Sequence, residues 1–438
     1  MIEKDRTQLR SVAWSEIFPW LSLFRTFRIA IRFRVLVFGA AAALITLTGW
    51  SLVNRAFTTH DSSMVSYNDE DLSEWDDDEN EPNSRSRCPW TSMTSLVENK
   101  YQPERALLRG RNPFEMESKG PLASVWQELG GQFQNVFSRD ATLVSLARSL
   151  VCGLWAVLVW GFFGGAITRA AALELAADER VGTRELLGFV RQRWLSYVAA
   201  PLFPLLGVLL VTAGIFLVAL PLLAGVTAWI SALFWPLLLL GGLVMAVLLL
   251  GLWFGWPLMY PTISAEGTDS FDALSRTYAY VFQRPLHYLF YILVASIFGA
   301  LGWLLVSGFA EGVVALTDWA ASWACGNERM EAILDHEASA GYLITFWQDG
   351  VRILAVGFLY SYFWTAATAI YFLLRRNVDA TEMDEVYLDD EAGEVHGLPN
   401  IGADEQGAPV VEDSCQTETT PETNADNDPD DPDKSAKE

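Results

Sequence analysis

Between Trp194 and Ala265 the chain contains no Asp, Glu, Lys, Arg or His, a charge-free run of about 70 residues. A stretch above about 18 apolar residues is already a candidate membrane span, and each span needs about 20. The run therefore has room for two spans and their hairpin, and it is too apolar for a soluble core. The residues that usually mark an enzyme are also scarce. Four cysteines are too few for a disulfide framework. The four histidines, His60, His287, His336 and His396, lie far apart, with no H-E-x-x-H or C-x-x-C around them, so neither a metal nor another cofactor is expected. A net charge of −23 argues against nucleic acid as a partner, because phosphates would be repelled.

What the sequence does contain is segregated. Half of the residues, 51%, are hydrophobic, yet 53 are Asp or Glu, and the two populations occupy different stretches. Residues 1–34 are basic, with Arg25, Arg28 and Arg32 on one helical face and Leu21, Phe24, Phe27 and Ile31 supplying apolar contact. They read as a cytoplasmic amphipathic segment lying on the membrane surface. Val35–Val53 reads as the first span, an uncleaved signal anchor. Residues 54–140 form an extracytoplasmic acidic loop, with an amphipathic helix over 121–138 that Pro121 opens and that caps the bundle or lies on the outer face. A four-helix membrane core follows over 141–310, with spans at Leu143–Ile167, Leu195–Val218, Ala232–Trp256 and Leu286–Ser307. The prolines at 201, 204, 257 and 261 read as helix-end punctuation, with helix breaks around a binding site as the alternative. A polar extracytoplasmic segment occupies 311–352, the sixth span 353–374, and an acidic cytoplasmic tail 375–438, which is too polar to fold alone. The expected fold class is thus an all-α integral membrane protein, a bundle of about six transmembrane helices with interfacial helices and disordered acidic segments. The arginines give its orientation. Short loops rich in Lys and Arg stay inside, which puts both termini in the cytoplasm and suggests a bacterial inner membrane.

Val190-Arg191-Gln192-Arg193-Trp194-Leu195-Ser196-Tyr197 and Val281-Phe282-Gln283-Arg284-Pro285-Leu286-His287-Tyr288 share Val, Gln, Arg, Leu and Tyr in register. Two parallel units, 143–219 and 232–308, each built as span, amphipathic helix and span, would explain the match. Selection at an inner membrane boundary would explain it equally. With Ser270-Phe271-Asp272-Ala273-Leu274 ahead of Gln283-Arg284-Pro285, this region resembles uncharacterised bacterial polytopic membrane proteins. The resemblance implies an integral membrane protein and no particular activity.

Three groups of residues stand out as candidate sites. Val386, Tyr387 and Leu388 form an apolar island in the acidic tail, suited to docking a cytosolic protein or simply a chance cluster. Glu174, Glu179, Arg193, Glu266, Arg276 and Arg284 fall at inner span ends and are expected to form a polar cytoplasmic cluster, structural rather than catalytic for want of a nucleophile or metal. Cys88 and Cys325 both fall on the outer side and are candidates for a disulfide. Small residues four apart, Gly161 with Gly165, Gly251 with Gly255 and Ala295 with Gly299, allow close helix packing within one chain or in a homo-oligomer. The expected partners are the lipid bilayer, a cytosolic protein through the acidic tail, and a second copy of the chain.

No charge lies in the interiors of the spans, so ion-coupled transport lacks its usual residues. A non-enzymatic scaffold that recruits partners through its tail is the leading expectation. The alternative is a permease or lipid-handling protein for a neutral or apolar substrate. An uncharged cavity between spans three to five favours the alternative, and a filled bundle favours the scaffold.

Overall fold

The computed structural model describes residues 18–65, 121–136, 142–178, 180–223, 225, 227–334, 339–387, 400–403 and 409–412. They divide into a large unit ending at Tyr387 and a small one beginning at Leu388. The large unit is an all-α bundle. Its helices are α1 (Leu23–Ala30), α2 (Phe33–Val65), α3 (Pro121–Val136), α4 (Leu143–Ala176), α5 (Thr183–Ala219), α6 (Ala228–Leu233), α7 (Trp235–Glu266), α8 (Ser270–Gln283), α9 (Pro285–Cys325), α10 (Asn327–Leu334) and α11 (Ser339–Asp379). Six of them, α2, α4, α5, α7, α9 and α11, contain a stretch long and apolar enough to cross a membrane. The chain is a multi-pass membrane protein.

The bundle is organised around α11, whose most apolar stretch is 89% buried. In lipid, helices gain nothing from the hydrophobic effect on associating, so close packing and interhelical hydrogen bonds must hold them. Two turns of α11 supply both. A Cβ at Gly357 would sit 2.9 Å from Ala40 N, and one at Gly39 would strike Gly357 O, so α2 and α11 cross backbone to backbone. One residue on, Phe358 meets Phe27 of α1 with ring centroids 5.7 Å apart. Tyr360 stacks on Trp160 of α4 at 4.8 Å, and Ser361 Oγ donates to Ala30 O at 2.9 Å. Tyr362 donates to Ala295 O of α9 at 2.7 Å, and Trp364 stacks on Tyr260 of α7 at 4.7 Å.

The small pairs noted above are used within the chain. Gly161 and Gly165 admit Val198 and Tyr197 of α5, Gly255 admits Thr277 of α8, and Gly299 faces Tyr362.

Several expectations need correction. Pro201, Pro204, Pro257 and Pro261 do not punctuate helix ends but lie inside α5 and α7, all four buried. A membrane helix tolerates internal proline because neighbouring groups satisfy the freed backbone. The segment 311–352 is largely helical: α9 runs into it as far as Cys325, α10 lies within it and α11 begins at Ser339, so that α9 and α11 are 41-residue rods, each about 62 Å long. Glu311 and Arg352 allow this, because Arg352 Nε and Nη2 donate to the two carboxylate oxygens at 2.7 and 3.3 Å, while Asp349 lies 3.4 Å from Nη1. Helix α3 is amphipathic. Leu122, Val125 and Leu129 are buried against the core while Ala123 and Gln127 are exposed, and Tyr360 donates to Glu128 Oε2 at 2.8 Å.

The tail also departs from expectation. Helix α11 continues to Asp379, and Met383 and Val386 pack against the core. In the second unit β1 (Asn400–Ala403) and β2 (Pro409–Glu412) pair antiparallel, with Ile401 opposite Val411 and Gly402 opposite Val410. The β-branched residues of this short stretch suit a strand pair, which the acidic composition around them conceals. The acidic stretch 66–120 lies outside the described residues.

Gly357→Ala is expected to destabilise the detergent-solubilised protein by about 1–3 kcal/mol, since backbone atoms must move to admit the methyl. Gly312→Ala in α9, where a Cβ meets nothing within 4 Å, should be neutral or slightly stabilising. Thermal unfolding of the two variants beside the parent checks both.

Candidate functional site

The residues expected to form one polar cluster do not gather as one group. Of the six, Glu266 and Arg276 alone pair with each other among the described residues, and the buried acids Glu174 and Glu266 each anchor a separate centre of ion pairs. In the first, Glu174, only 3% exposed, pairs closely with Arg32 and lies 3.7 Å from Arg28. Asp178 accepts from Arg25 at 3.1 Å and Arg28 at 3.3 Å. Burial holds the Arg32 guanidinium below its ordinary value against the pull of Glu174, and Arg180, Arg28 and Arg34 push the same way. In the second centre, Glu266 pairs with Arg276 Nη1 at 2.9 Å and Arg375 Nε at 3.3 Å, and Tyr371 donates to it. Burial works against the Arg276 charge, but Glu266 and Asp272 outweigh it and raise its pKa.

Arg193 serves neither carboxylate centre. Its Nε donates to Gly267 O at 3.2 Å, and its guanidinium lies 4.3 Å from the ring centre of Phe189, whose ring also takes Arg169 at 4.0 Å. Arg284 is exposed at the junction of α8 and α9. Glu179 lies outside the described residues.

The tail island is engaged by this chain. Tyr387 N donates to Ala265 O at 2.8 Å, and its ring sits 5.0 Å from the Arg193 guanidinium. Gly267 makes that seat possible. Its φ of +64 closes α7 in the left-handed region, and a Cβ there would lie 2.6 Å from the Tyr387 ring. Arg375 holds the strap from beneath, donating to Glu385 O at 2.7 Å. Leu388 lies outside the described residues. So does Cys88, while Cys325 is exposed at the end of α9, its thiol 3.5 Å from Ala321 O.

Sequence reasoning missed the feature that matters most for binding. A cavity of about 360 Å³ opens between α3, α4, α5 and α7. Leu129, Gly130 and Phe133 line it from α3, Ala156, Val157 and Trp160 from α4, Pro201 and Leu205 from α5, and Leu249, Trp253, Trp256 and Tyr260 from α7. Among the described residues no charged or amide side chain lines it, and its wall is nearly all carbon. The cavity lies where Pro201 and Leu205 of α5 and Trp253, Trp256 and Tyr260 of α7 meet α4, with α3 completing the wall. Past Val208 no residue of α5 is buried, and between Leu238 and Gly251 none of α7 is. Beside the cavity, the indole N–H groups of Trp126, Trp160, Trp256 and Trp364 have no hydrogen-bond partner among the described residues. Buried indoles usually find one. The only advance signal was the charge-free run itself, together with the apolar face of 121–138.

At the foot of the cavity, beyond Tyr260, a hydroxyl network ties three spans together. Ser264 Oγ lies 2.6 Å from Thr168 Oγ1 and 2.7 Å from the Tyr197 hydroxyl, and Arg169 donates to Ser264 O at 2.7 Å.

Glu266→Gln leaves Arg375 and Arg276 without their shared counter-charge and should cost about 3 kcal/mol, the scale for breaking a buried pair. A chain ending at Tyr387 should keep the parent's melting temperature, and one ending at Arg376, which lacks the strap, should lose several degrees. Melting curves in one detergent compare all three.

The chain matches no family model, no curated protein and no solved structure.

Proposed function

We propose that this protein is a non-enzymatic, lipid-handling membrane protein that holds a neutral, largely hydrocarbon guest between its spans. The observation that carries the reading is the uncharged cavity among α3, α4, α5 and α7. Its volume of about 360 Å³ falls within the range of small-molecule sites, roughly 300–1,000 Å³. A carbon wall selects against charge, since an ion there would forgo its hydration without a partner. The indole nitrogens of Trp160 and Trp256, two of the lining residues, are themselves buried, so the wall offers a guest almost no polar contact. The guest is therefore mostly hydrocarbon, as the acyl chain of a lipid is. The site lies among spans two, three and four with α3, rather than among spans three to five. We place the arginine-rich end in the cytoplasm of a bacterial inner membrane, on the positive-inside rule.

A scaffold that recruits a cytosolic protein through the tail is the second reading. Val386 and Tyr387 already occupy a seat on the bundle, so a partner binding that triplet competes with Ala265 and Arg193.

Two variants test the first reading. Leu249→Trp and Val157→Phe each fill cavity space without adding charge. Retention of a tritiated monoacylglycerol by the delipidated protein should fall at least about tenfold in each, a loss of ~1.4 kcal/mol or more. Parent protein that retains no probe, or folded variants that retain it undiminished, would sink the proposal.

A further inference from the structure

The arginines of the first centre outnumber the acids that face them. From Phe18 to Arg34 the chain has four arginines and no carboxylate. Among the described residues, Arg25, Arg28 and Arg32 share two acids, Glu174 and Asp178. Arg34 spends Nη1 on Val181 O at 2.6 Å. The two acids are not equivalent. Glu174 is 3% exposed and turned inward to Arg32, whereas Arg25 and Arg28 are 44% and 60% exposed with Asp178 beside them. The outward face is thus two guanidiniums to one carboxylate. Arg180 in the turn between α4 and α5 and Arg184 in the first turn of α5 are exposed and add charge, while Glu185 subtracts one, as does Glu179 in the sequence of that turn. Apolar side chains flank the patch, with Phe24 43%, Ile31 41% and Phe33 72% exposed.

That combination has one natural occupant in a membrane protein. Exposed phenylalanine and isoleucine suit the acyl boundary, and clustered arginines beside them suit anionic lipid. A guanidinium fork matches phosphate oxygens two at a time. We propose that the rim formed by α1 and the α4–α5 turn binds the headgroup of an anionic phospholipid, with Arg25 and Arg28 as its phosphate contacts and Asp178 as the built-in competitor. This site is separate from the apolar cavity and does not depend on what the cavity holds.

The test uses the full-length protein in a neutral detergent, titrated with phosphatidylglycerol, phosphatidylcholine or inorganic phosphate, with bound lipid counted by native mass spectrometry. Phosphatidylglycerol should bind and phosphatidylcholine should not compete. Arg25→Gln with Arg28→Gln should weaken binding roughly tenfold or more, as expected for removing two charges near the surface. Asp178→Asn is the decisive variant, because it should tighten binding severalfold by releasing both guanidiniums. It is also a safe one to make. Asp178 is exposed with φ 56, a backbone state that asparagine readily adopts. A cluster with a purely structural role gives weaker or unchanged binding in Asp178→Asn, and that result overturns the proposal. Equal binding of the two lipids, or inorganic phosphate occupying the site alone, overturns it as well. If the double Gln variant fails to fold, Arg25→Lys with Arg28→Lys, which keeps both charges, must retain the preference for phosphatidylglycerol.

Discussion

The crossing of α2 and α11 at Gly39 and Gly357 is the contact on which the rest of the bundle depends. With no side chain on either partner the two backbones touch, and the flanking residues of α11 are thereby set at fixed heights and angles. Phe358, Tyr360, Ser361, Tyr362 and Trp364 then reach four neighbouring helices, Phe358 and Ser361 both meeting α1. Tyrosine suits this task in lipid. Its ring fills space between helices, and its hydroxyl reaches across to a backbone carbonyl that a helical neighbour can share. Tyr278, Tyr288 and Tyr362 all donate to main-chain oxygens of another helix.

The charged end and the cavity share helices. Tyr260 lines the cavity, Ser264 anchors the hydroxyl network, Ala265 seats the strap and Glu266 pairs with two arginines, all within two turns of α7. Pro257 and Pro261 lie in the same stretch, where each removes a hydrogen bond that would stiffen the helix. Whatever moves the foot of α7 also moves a wall of the cavity.

Much of this fold was legible beforehand, because the bilayer imposes a rule that one sequence can display. Runs of apolar residues of the right length, closed by arginines, announce spans whatever their neighbours are. What could not be read is everything that depends on pairing across distance. Glu311 and Arg352 each look like the end of a span when met alone, and only together do they let two helices run on. Gly39 and Gly357 carry no local signal, being single glycines in different helices. Of the residues expected to form one polar cluster, Glu266 and Arg276 pair. The arginines that pair with Glu174 come from α1 and the turn after it, and Arg375 comes from α11, beyond any local pattern. The cavity was least visible of all, since a gap is a property of how helices fail to meet.

Helix α11 is the sixth of the described spans and the centre of the bundle. It is also the least hydrophobic of the six, whereas α5 and α7, among the most hydrophobic, have only 6% and 17% of their apolar stretches buried. During synthesis the five spans that precede α11 must therefore wait in lipid, for which their composition equips them, until it is delivered. A ribosome that stalls before Ser339 leaves those helices inserted but without a common axis.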